Sequence, residues 1–519
     1  MRRLIPLVLS MCVIAASVVW AGQQPISQTT AAEPRNSYVS MIALGLDHSC
    51  AILPTAKLKC WGTNGDGQLG LGTTADMGND AGEMGSALPY VNVAQTVKYV
   101  SGGNRHTCAI RADNSTVCWG FNGDGELGLG HVRTIGDGAG EMGSALVSVD
   151  FGTGLYATSL SASYAFTCAV LNTKQVKCWG YQDSGELGVS GQHGLEPNTM
   201  GANLPAVDLG TGAAAVSVVT GFQHACALLN NAKVKCWGLN SNGQLGYGDT
   251  TNRVYPNLGD LLPVVNVGTG RTVKALAAGG NFTCAIRDNG TVVCWGYNGT
   301  GQLGIGSTTD IGDGADEMGD ALTAVDLGSG RTAVAIAASR RMDRDLVCVV
   351  LDNATLKCWG ANDIGQLGTG DMLDRGDAAG EMAGLEPVNL GSGITVKAVS
   401  MGNAHTCVTL ATTNIKCFGH GAYGKLGYGN TTNYGSTAEL LGAAIPVVDL
   451  ASNVSSTSTR TKSPTKTRTP TKSKTLTKSK TRTKTKTPTK SRTLTRSRTA
   501  TKTQVPTTTP SVVATAVTP

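Results

Sequence analysis

The sequence predicts an all-β protein, a closed seven-bladed β-propeller of four-stranded antiparallel blades. Three observations carry that prediction. Fourteen cysteines form seven pairs, each ten residues apart: Cys50 with Cys60, Cys108 with Cys118, Cys168 with Cys178, Cys226 with Cys236, Cys284 with Cys294, Cys348 with Cys358, and Cys407 with Cys417. The second cysteines recur at an average step of 59.5 residues, and a fixed period of this length signals a stacked or radial repeat, not several unrelated domains. Glycine supplies 69 of 519 residues while charged residues make up only 15%, the balance of short strands joined by many turns.

Taken in order, the chain opens with Arg2 and Arg3, an apolar run from Leu4 to Val19, and Val19-Trp20-Ala21 at the cleavage positions. That pattern predicts a secretory signal over residues 1–21, followed by a linker over 22–36 and the repeats over 37–450. No other apolar run approaches the length of a bilayer span, so the mature chain is expected to be soluble, with no transmembrane span. The fifth repeat shows the unit most clearly. Leu262–Val267 is its first expected strand, Val273–Ala278 the second, Thr283–Arg287 the third and Thr291–Trp295 the fourth, with glycine-rich turns between them.

The cysteines are placed by the same arithmetic. Cys284 and Cys294 are symmetric about Asn289, so a three-residue loop sets them opposite each other, with Gly290 at the left-handed last position. Directly opposed strand residues lie within disulfide reach. Zinc is the poorer reading, because no Cys-x-x-Cys occurs and no further ligands stand near each pair. Seven structural disulfides in an oxidising compartment are expected, with no free thiol once Cys12 leaves with the signal.

Ring closure follows from counting. Seven apolar segments suit a first strand: Leu88–Val93, Leu146–Asp150, Leu204–Leu209, Leu262–Val267, Leu322–Leu327, Leu385–Leu390 and Ile445–Leu450. None precedes the first cysteine pair and one follows the last. The C-terminal segment is therefore expected to complete the N-terminal blade begun by Val39–Leu44, removing two exposed sheet edges.

The run from Cys294 through Trp295-Gly296-Tyr297-Asn298-Gly299-Thr300-Gly301-Gln302-Leu303-Gly304 to Gly306 has counterparts at Cys60–Gly72, Cys118–Gly130, Cys236–Gly248 and Cys358–Gly370. With Gly-x-x-His-[Ser/Thr/Ala]-Cys before it in several units, it resembles the regulator of chromosome condensation repeat over about residues 37–450. The resemblance implies the propeller fold and leaves function open, since members include a nuclear nucleotide-exchange factor, a plant ultraviolet-B photoreceptor and a secreted inhibitor of β-lactamases. Nuclear exchange is at odds with a secretion signal and seven disulfides. Photoreception would need tryptophans in the Gly-x-x-His region, where Asp47, Arg105, Gln223 and Ala404 stand. The tryptophans beyond the expected signal, Trp61, Trp119, Trp179, Trp237, Trp295 and Trp359, sit beside the second cysteine, with Phe418 in the seventh unit. One aromatic per unit at one position is packing between blades.

Chemistry-bearing residues are sparse. His48, His106, His224 and His405 share a position that holds Phe166, Phe282 and Leu346 in other units, so they are expected to fill core. His131, His193 and His420 are scattered in loop-like sequence. No nucleophile–base–acid set and no phosphate-cradling loop appears, so no catalytic or cofactor-binding residue is assigned and no enzyme is expected. Glycine-flexible acidic loops, Ile135–Gly143 and Ile311–Gly319 with variants at Asp76–Gly85 and Gly376–Ala383, suggest calcium as the alternative to a solvated acidic surface. Sequons occur at Asn114, Asn281, Asn289, Asn298, Asn353, Asn430 and Asn453; Asn114, Asn289 and Asn353 fall on hairpin tips, where a glycan would be exposed.

The sixth unit adds a charged turn, Arg340-Arg341-Met342-Asp343-Arg344-Asp345, on the side from which the acidic loops also emerge. Arg340, Arg341, Asp343, Arg344 and Asp345 are therefore the partner-binding candidates. Residues 451–519 hold 16 basic residues and no acid, a Thr/Ser/Lys/Arg-rich tail expected to be disordered and suited to polyanions or wall attachment. Residues 1–450 carry 26 basic against 36 acidic residues, a net of −10, or −12 without Arg2 and Arg3. The expected protein is a monomeric, secreted or cell-surface, non-enzymatic scaffold for a protein or surface polymer. Regulation of a small GTPase, or hydrolase or lyase chemistry on a propeller, are the alternatives.

Overall fold

The computed structural model describes residues 41–450, apart from Met342 and Asp343. The expected signal, linker and basic tail lie outside these residues. Twenty-one strands form seven three-stranded antiparallel sheets, each from three consecutive strands. In the first repeat these are β1 (Met41–Leu44), β2 (His48–Ile52) and β3 (Leu58–Gly62); in the second, β4 (Val97–Gly102), β5 (His106–Arg111) and β6 (Thr116–Gly120). The third holds β7 (Ala157–Ala162), β8 (Phe166–Leu171) and β9 (Val176–Gly180), and the fourth β10 (Ala215–Thr220), β11 (His224–Leu229) and β12 (Val234–Gly238). In the fifth come β13 (Val273–Ala278), β14 (Phe282–Arg287) and β15 (Val292–Gly296), and in the sixth β16 (Ala333–Ala338), β17 (Leu346–Leu351) and β18 (Leu356–Gly360). The seventh has β19 (Val396–Met401), β20 (His405–Leu410) and β21 (Ile415–Gly419). A single four-residue α-helix, Glu381–Gly384, stands among the described residues.

Two expectations are corrected here. The sheets have three strands, and the apolar segments do not open the unit that follows them. Val91 N–H donates to Leu58 O on β3 and Val265 N–H to Val234 O on β12, so each segment lies along the last strand of its own preceding unit. The C-terminal segment behaves alike: Val448 N–H donates to Ile415 O on β21, and among the described residues no backbone hydrogen bond joins it to β1, although Val448 and Leu450 pack in one cluster with Ile42 and Leu44. Five of the seven segments carry a proline (Pro89, Pro205, Pro263, Pro387, Pro446), which removes a donor and favours a docked extended edge over a full ladder.

All seven disulfides are present. Cys50 lies directly opposite Cys60, and the same register holds in every unit, with Cα–Cα separations of 4.0–4.1 Å. The register follows from the hairpin, which is closed in the first repeat by Leu53 N–H to Lys57 O around a three-residue tip. The last tip residue is left-handed in all seven, yet only Gly290 is glycine; Ala56, Asn114, Lys174, Ala232, Ala354 and Thr413 hold φ between 57° and 73°. Left-handed backbone costs a non-glycine residue about 1–2 kcal/mol, so hairpin and cross-link impose this shape against local preference.

Packing is between neighbouring repeats. Each cluster of buried side chains joins two consecutive units: Cys168, Val170 and Val176 pack with Val207, Val218 and Trp237, for example. The six tryptophans are fully buried, and each indole N–H donates to a carbonyl of the unit before it, as Trp119 Nε1 does to Gln68 O at 3.0 Å. Close approach of this ring explains a motif glycine. At Gly246, where φ is +75°, a Cβ would lie 2.7 Å from Trp295 Nε1. The motif asparagine is equally structural: Asn298 is buried, donates to Ser307 O and Thr309 O, and accepts from Leu303 N–H. It is therefore no accessible glycan acceptor in the fold, unlike the exposed tip residues Asn289 and Asn353; Asn114 is half-buried.

The first and last repeats are neighbours. Leu44 and Trp61 pack in one cluster with Cys407, Ile415 and Leu426. Trp61 Nε1 and Ser49 Oγ both donate to Lys425 O, at 3.0 and 2.8 Å, and Gly85 N–H donates to Asp449 O.

Candidate protein-binding face

Antiparallel order puts the turn after each first strand and the loop after each third strand at one end of the sheet, and contacts between repeats run along this end. Arg105 forms a bidentate pair with Asp66 of the preceding unit, while its guanidinium covers the Phe121 ring at 4.6 Å. Tyr164 packs on Phe222 of the next unit, with ring centroids 4.5 Å apart, and remains 41% exposed. Arginine and aromatic side chains held in place by neighbours are the composition of protein-recognition anchors.

The sixth-unit turn, residues 339–345 against three residues in other units, distributes the five candidates unequally. Arg344 stays at the surface, paired with Asp363 at 2.9 Å. Asp345 is buried and accepts Gly280 N–H from the fifth unit. Arg340 turns inward and donates Nη1–H to Gly102 O and Ala162 O, carbonyls of the second and third units. Arg341 is half-buried, and Asp343 lies outside the described residues. The turn is thus partly surface and partly internal strut, a division sequence could not give.

A polar cluster missed in the sequence lies at the seam between last and first repeats. Lys425 replaces the Gln of the Gly-Gln-Leu-Gly motif and is fully buried; its ammonium donates to Asp47 Oδ1 and to His420 Nδ1 at 2.9 Å. Burial draws its pKa down, and the Asp47 carboxylate opposes that. The only sequence signal is a lysine where Gln68, Gln244, Gln302 and Gln366 stand elsewhere. Removing one partner of a buried ion pair costs about 3–5 kcal/mol. Lys425→Ala is therefore expected to lower the melting temperature sharply, with Lys425→Gln recovering part of the loss through the residue that four of the other six units use. Calorimetry showing no loss in Lys425→Ala would remove the seam role.

The four core histidines are enclosed, as expected, and each meets a hydroxyl of a neighbouring repeat. His48 Nε2 meets Thr107 Oγ1 at 2.9 Å, His106 meets Thr167, His224 meets Thr283, and His405 meets Ser49 of the first repeat. Thr107 and Thr283 each donate onward to a backbone carbonyl, so the histidine must supply its Nε2 proton, while Nδ1 of His48 and His224 has no acceptor to take a second proton, which suits the neutral ring. Where the unit has Phe166 or Phe282, the next unit has Ala225 or Val347. Burial pushes His48 down to about 4 and His106 and His224 to about 3.

The acidic loops fold onto themselves. Glu141 accepts Gly136 and Gly138 N–H, Glu317 accepts Gly312 and Gly314 N–H, and Glu83 and Glu381 do the same in their loops. Their carboxylates serve as loop anchors, and no group of three or more metal-ligating side chains is assembled among the described residues.

A family model described as "Regulator of chromosome condensation (RCC1) repeat" matches residues 39–68, 97–126, 157–186, 215–244 and 273–302, and a second of the same description matches 233–286. The ultraviolet-B receptor UVR8 of Arabidopsis thaliana is 28% identical over 279 residues, covering 52% of this chain and 56% of the receptor. The E3 ubiquitin-protein ligase HERC2 of Homo sapiens is 28% identical over 254 residues, 48% of this chain but 5% of the ligase. The chain thus spans about half the length of the first relative and a small part of the second. Among solved structures, human WBSCR16 aligns with a TM-score of 0.55 at 17% identity, covering 72% of this chain and 90% of that one. Yeast RCC1 (Prp20), in its complex with Kap60, aligns at 0.53 and 20% identity, covering 80% and 90%. At these identities the likeness is one of fold.

Proposed function

This chain is a regulator of chromosome condensation (RCC1) repeat protein, and from that premise we propose that it is a secreted or cell-surface, non-enzymatic scaffold that binds a protein or surface polymer. The seven sheets are read as the blades of one closed ring, supported by contact of the first repeat with the last. The basic tail is read as an attachment to polyanions or a wall, supported by its 16 cations without an acid.

One observation carries the reading. The face around Tyr164, Phe222, Arg105 and Arg344 presents ordered aromatic and guanidinium groups, whereas the buried histidines and lysine are consumed by internal bonds. Secretion rests on the N-terminal pattern and the seven disulfides, which suit an oxidising compartment.

The test is capture from native extracellular material with the immobilised mature chain, followed by affinity measurement on what is retained. Tyr164→Ala combined with Arg344→Ala is expected to weaken binding about tenfold or more, as loss of anchor residues does, with little change in melting temperature. A control on the opposite side, Lys174→Ala at a hairpin tip, is expected to bind unchanged. Loss of affinity in the control alone would move the site to the other face.

A further inference from the structure

Neighbouring repeats share a polar latch that recurs from contact to contact. Its first part is the indole N–H beside the second cysteine, which donates to the preceding unit, as Trp295 does to Gln244 O at 3.1 Å and Trp359 to Gln302 O at 3.0 Å. Its second part is the bond from histidine to a hydroxyl of the next unit. That bond joins the first repeat to the second, the second to the third, the fourth to the fifth and the seventh to the first.

The contact between the sixth and seventh repeats has neither part. Phe418 stands in place of the tryptophan, and Leu346 stands where a histidine would meet Thr406. Gln366 is buried, and its carbonyl is left with Thr406 Oγ1 at 3.5 Å, beyond the usual hydrogen-bond range. A buried carbonyl with so distant a donor has given up water and gained little in return. The rest of the contact is apolar, with Leu346, Val388, Leu390, Phe418 and Ile445 in one cluster. Clusters of the same kind lie at the other contacts, so the difference is polar. The junction of the seventh repeat with the first is the obvious place for the array to part, because it joins the two ends of the repeat region. It is instead reinforced: Trp61 and Ser49 both donate to Lys425 O, and the Lys425 ammonium pairs with Asp47.

We propose that the repeats part first between the sixth and the seventh, with the seventh moving together with the first. Local opening draws on the least stable contacts of a fold, and here two substitutions at matched positions select one contact out of seven. The opening is independent of the partner bound on the face described above.

Hydrogen exchange read by mass spectrometry on residues 22–519 tests it. At six contacts a buried glycine N–H donates to a carbonyl of the neighbouring unit at 2.8–3.0 Å: Gly143, Gly201, Gly259, Gly319, Gly442 and Gly85. Met or Leu precedes each, so their intrinsic exchange rates are closely matched. One neutral hydrogen bond is worth roughly a two- to tenfold factor in an equilibrium, and the contact at Gly442 lacks two. The peptide holding Gly442 is therefore expected to exchange about tenfold or more faster than those holding Gly143 and Gly319, and faster than that holding Gly85. Phe418→Trp with Leu346→His copies the latch between the fourth and fifth repeats, beside a motif glycine, Gly368, that is already in place. It is expected to slow Gly442 to the rate of Gly319. The converse pair, Trp295→Phe with His224→Leu, is expected to raise Gly319 to the rate of Gly442. Wild-type exchange at Gly442 as slow as at Gly143 and Gly319, or fastest at Gly85, overturns the proposal. So does an unchanged Gly442 rate in a folded Phe418→Trp, Leu346→His variant.

Discussion

Acidification from pH 7 to pH 4 is expected to remove most of the folding stability of this protein. Four histidines, His48, His106, His224 and His405, are held neutral inside the repeats, with pKa values of about 4 for His48, about 3 for His106 and His224, and well below the ordinary 6.5 for His405. Burial is the first cause in each. Since these folded values lie below those of the unfolded chain, protons favour unfolding; the stability present above pH 6.5 is lost as pH falls toward the folded pKa. Each histidine contributes a slope of about 1.4 kcal/mol per pH unit in that window, so three or four of them at pH 4 amount to about 10 kcal/mol or more.

Two buried carboxylates, Glu126 and Glu186, both raised by burial, work the other way. Glu126, pushed up to about 7 by burial, favours the folded state as pH falls from 7 to 4.5, by about 3 kcal/mol at most. The histidines outweigh both, and the histidine sum is comparable to the whole stability of an ordinary domain, about 5–15 kcal/mol. Melting temperatures measured between pH 7.5 and 4 should therefore fall steeply below pH 6.5. The double variant His224→Phe with Thr283→Ala copies the Phe166 and Ala225 pair that the fold already contains, and should reduce the slope by one histidine's share. Its removal of the threonine is tolerable because Gln244 O keeps the Trp295 indole donor at 3.1 Å. A flat profile, or an unchanged slope in the double variant, would show that these histidines do not govern acid stability.

Reduction of all disulfides is expected to leave the chain unfolded at 25 °C. Every bond links residues ten apart, and closing so short a loop stabilises by about 2–3 kcal/mol in the chain-entropy account. Seven such bonds together contribute about 15–20 kcal/mol, more than a typical folded domain has to lose. The sulfurs are buried, so reductant has little access to the native state and the experiment must start from denaturant. Thiol titration of residues 22–519, denatured and unreduced, should give essentially zero. After full reduction and dilution from denaturant, circular dichroism should show no cooperative melt, while the Cys226→Ala, Cys236→Ala pair variant should fold with a lowered melting temperature. A reduced chain that refolds and melts within a few degrees of the native protein would overturn this account.

The sequence by itself determined the disulfide-linked hairpin of each unit and its internal register. Cysteines ten apart around a three-residue tip permit only one pairing of the two strands, and a one-residue slip would turn every side chain to the wrong face. Those are local facts, set by loop length and strand alternation. The repeat count and the packing role of the tryptophans were legible for the same reason, one residue type at one position in each unit. Tertiary structure decided what the units do to one another. Leu88–Val93 and its counterparts could have joined either neighbouring unit, and only the docked geometry shows them on the last strand of the preceding one. Nothing near Lys425 in sequence announces Asp47, and nothing near Arg340 announces Gly102 and Ala162; these partners meet because the seventh repeat adjoins the first and the sixth turn reaches the second and third. The histidine and hydroxyl pairs lie between. Each His is matched by a Thr or Ser in the next unit, and Phe by Ala or Val, a pattern present in the sequence but meaningful only once adjacent repeats are in contact. Short-range geometry is encoded in spacing, whereas contacts between repeats depend on how the folded units pack against one another.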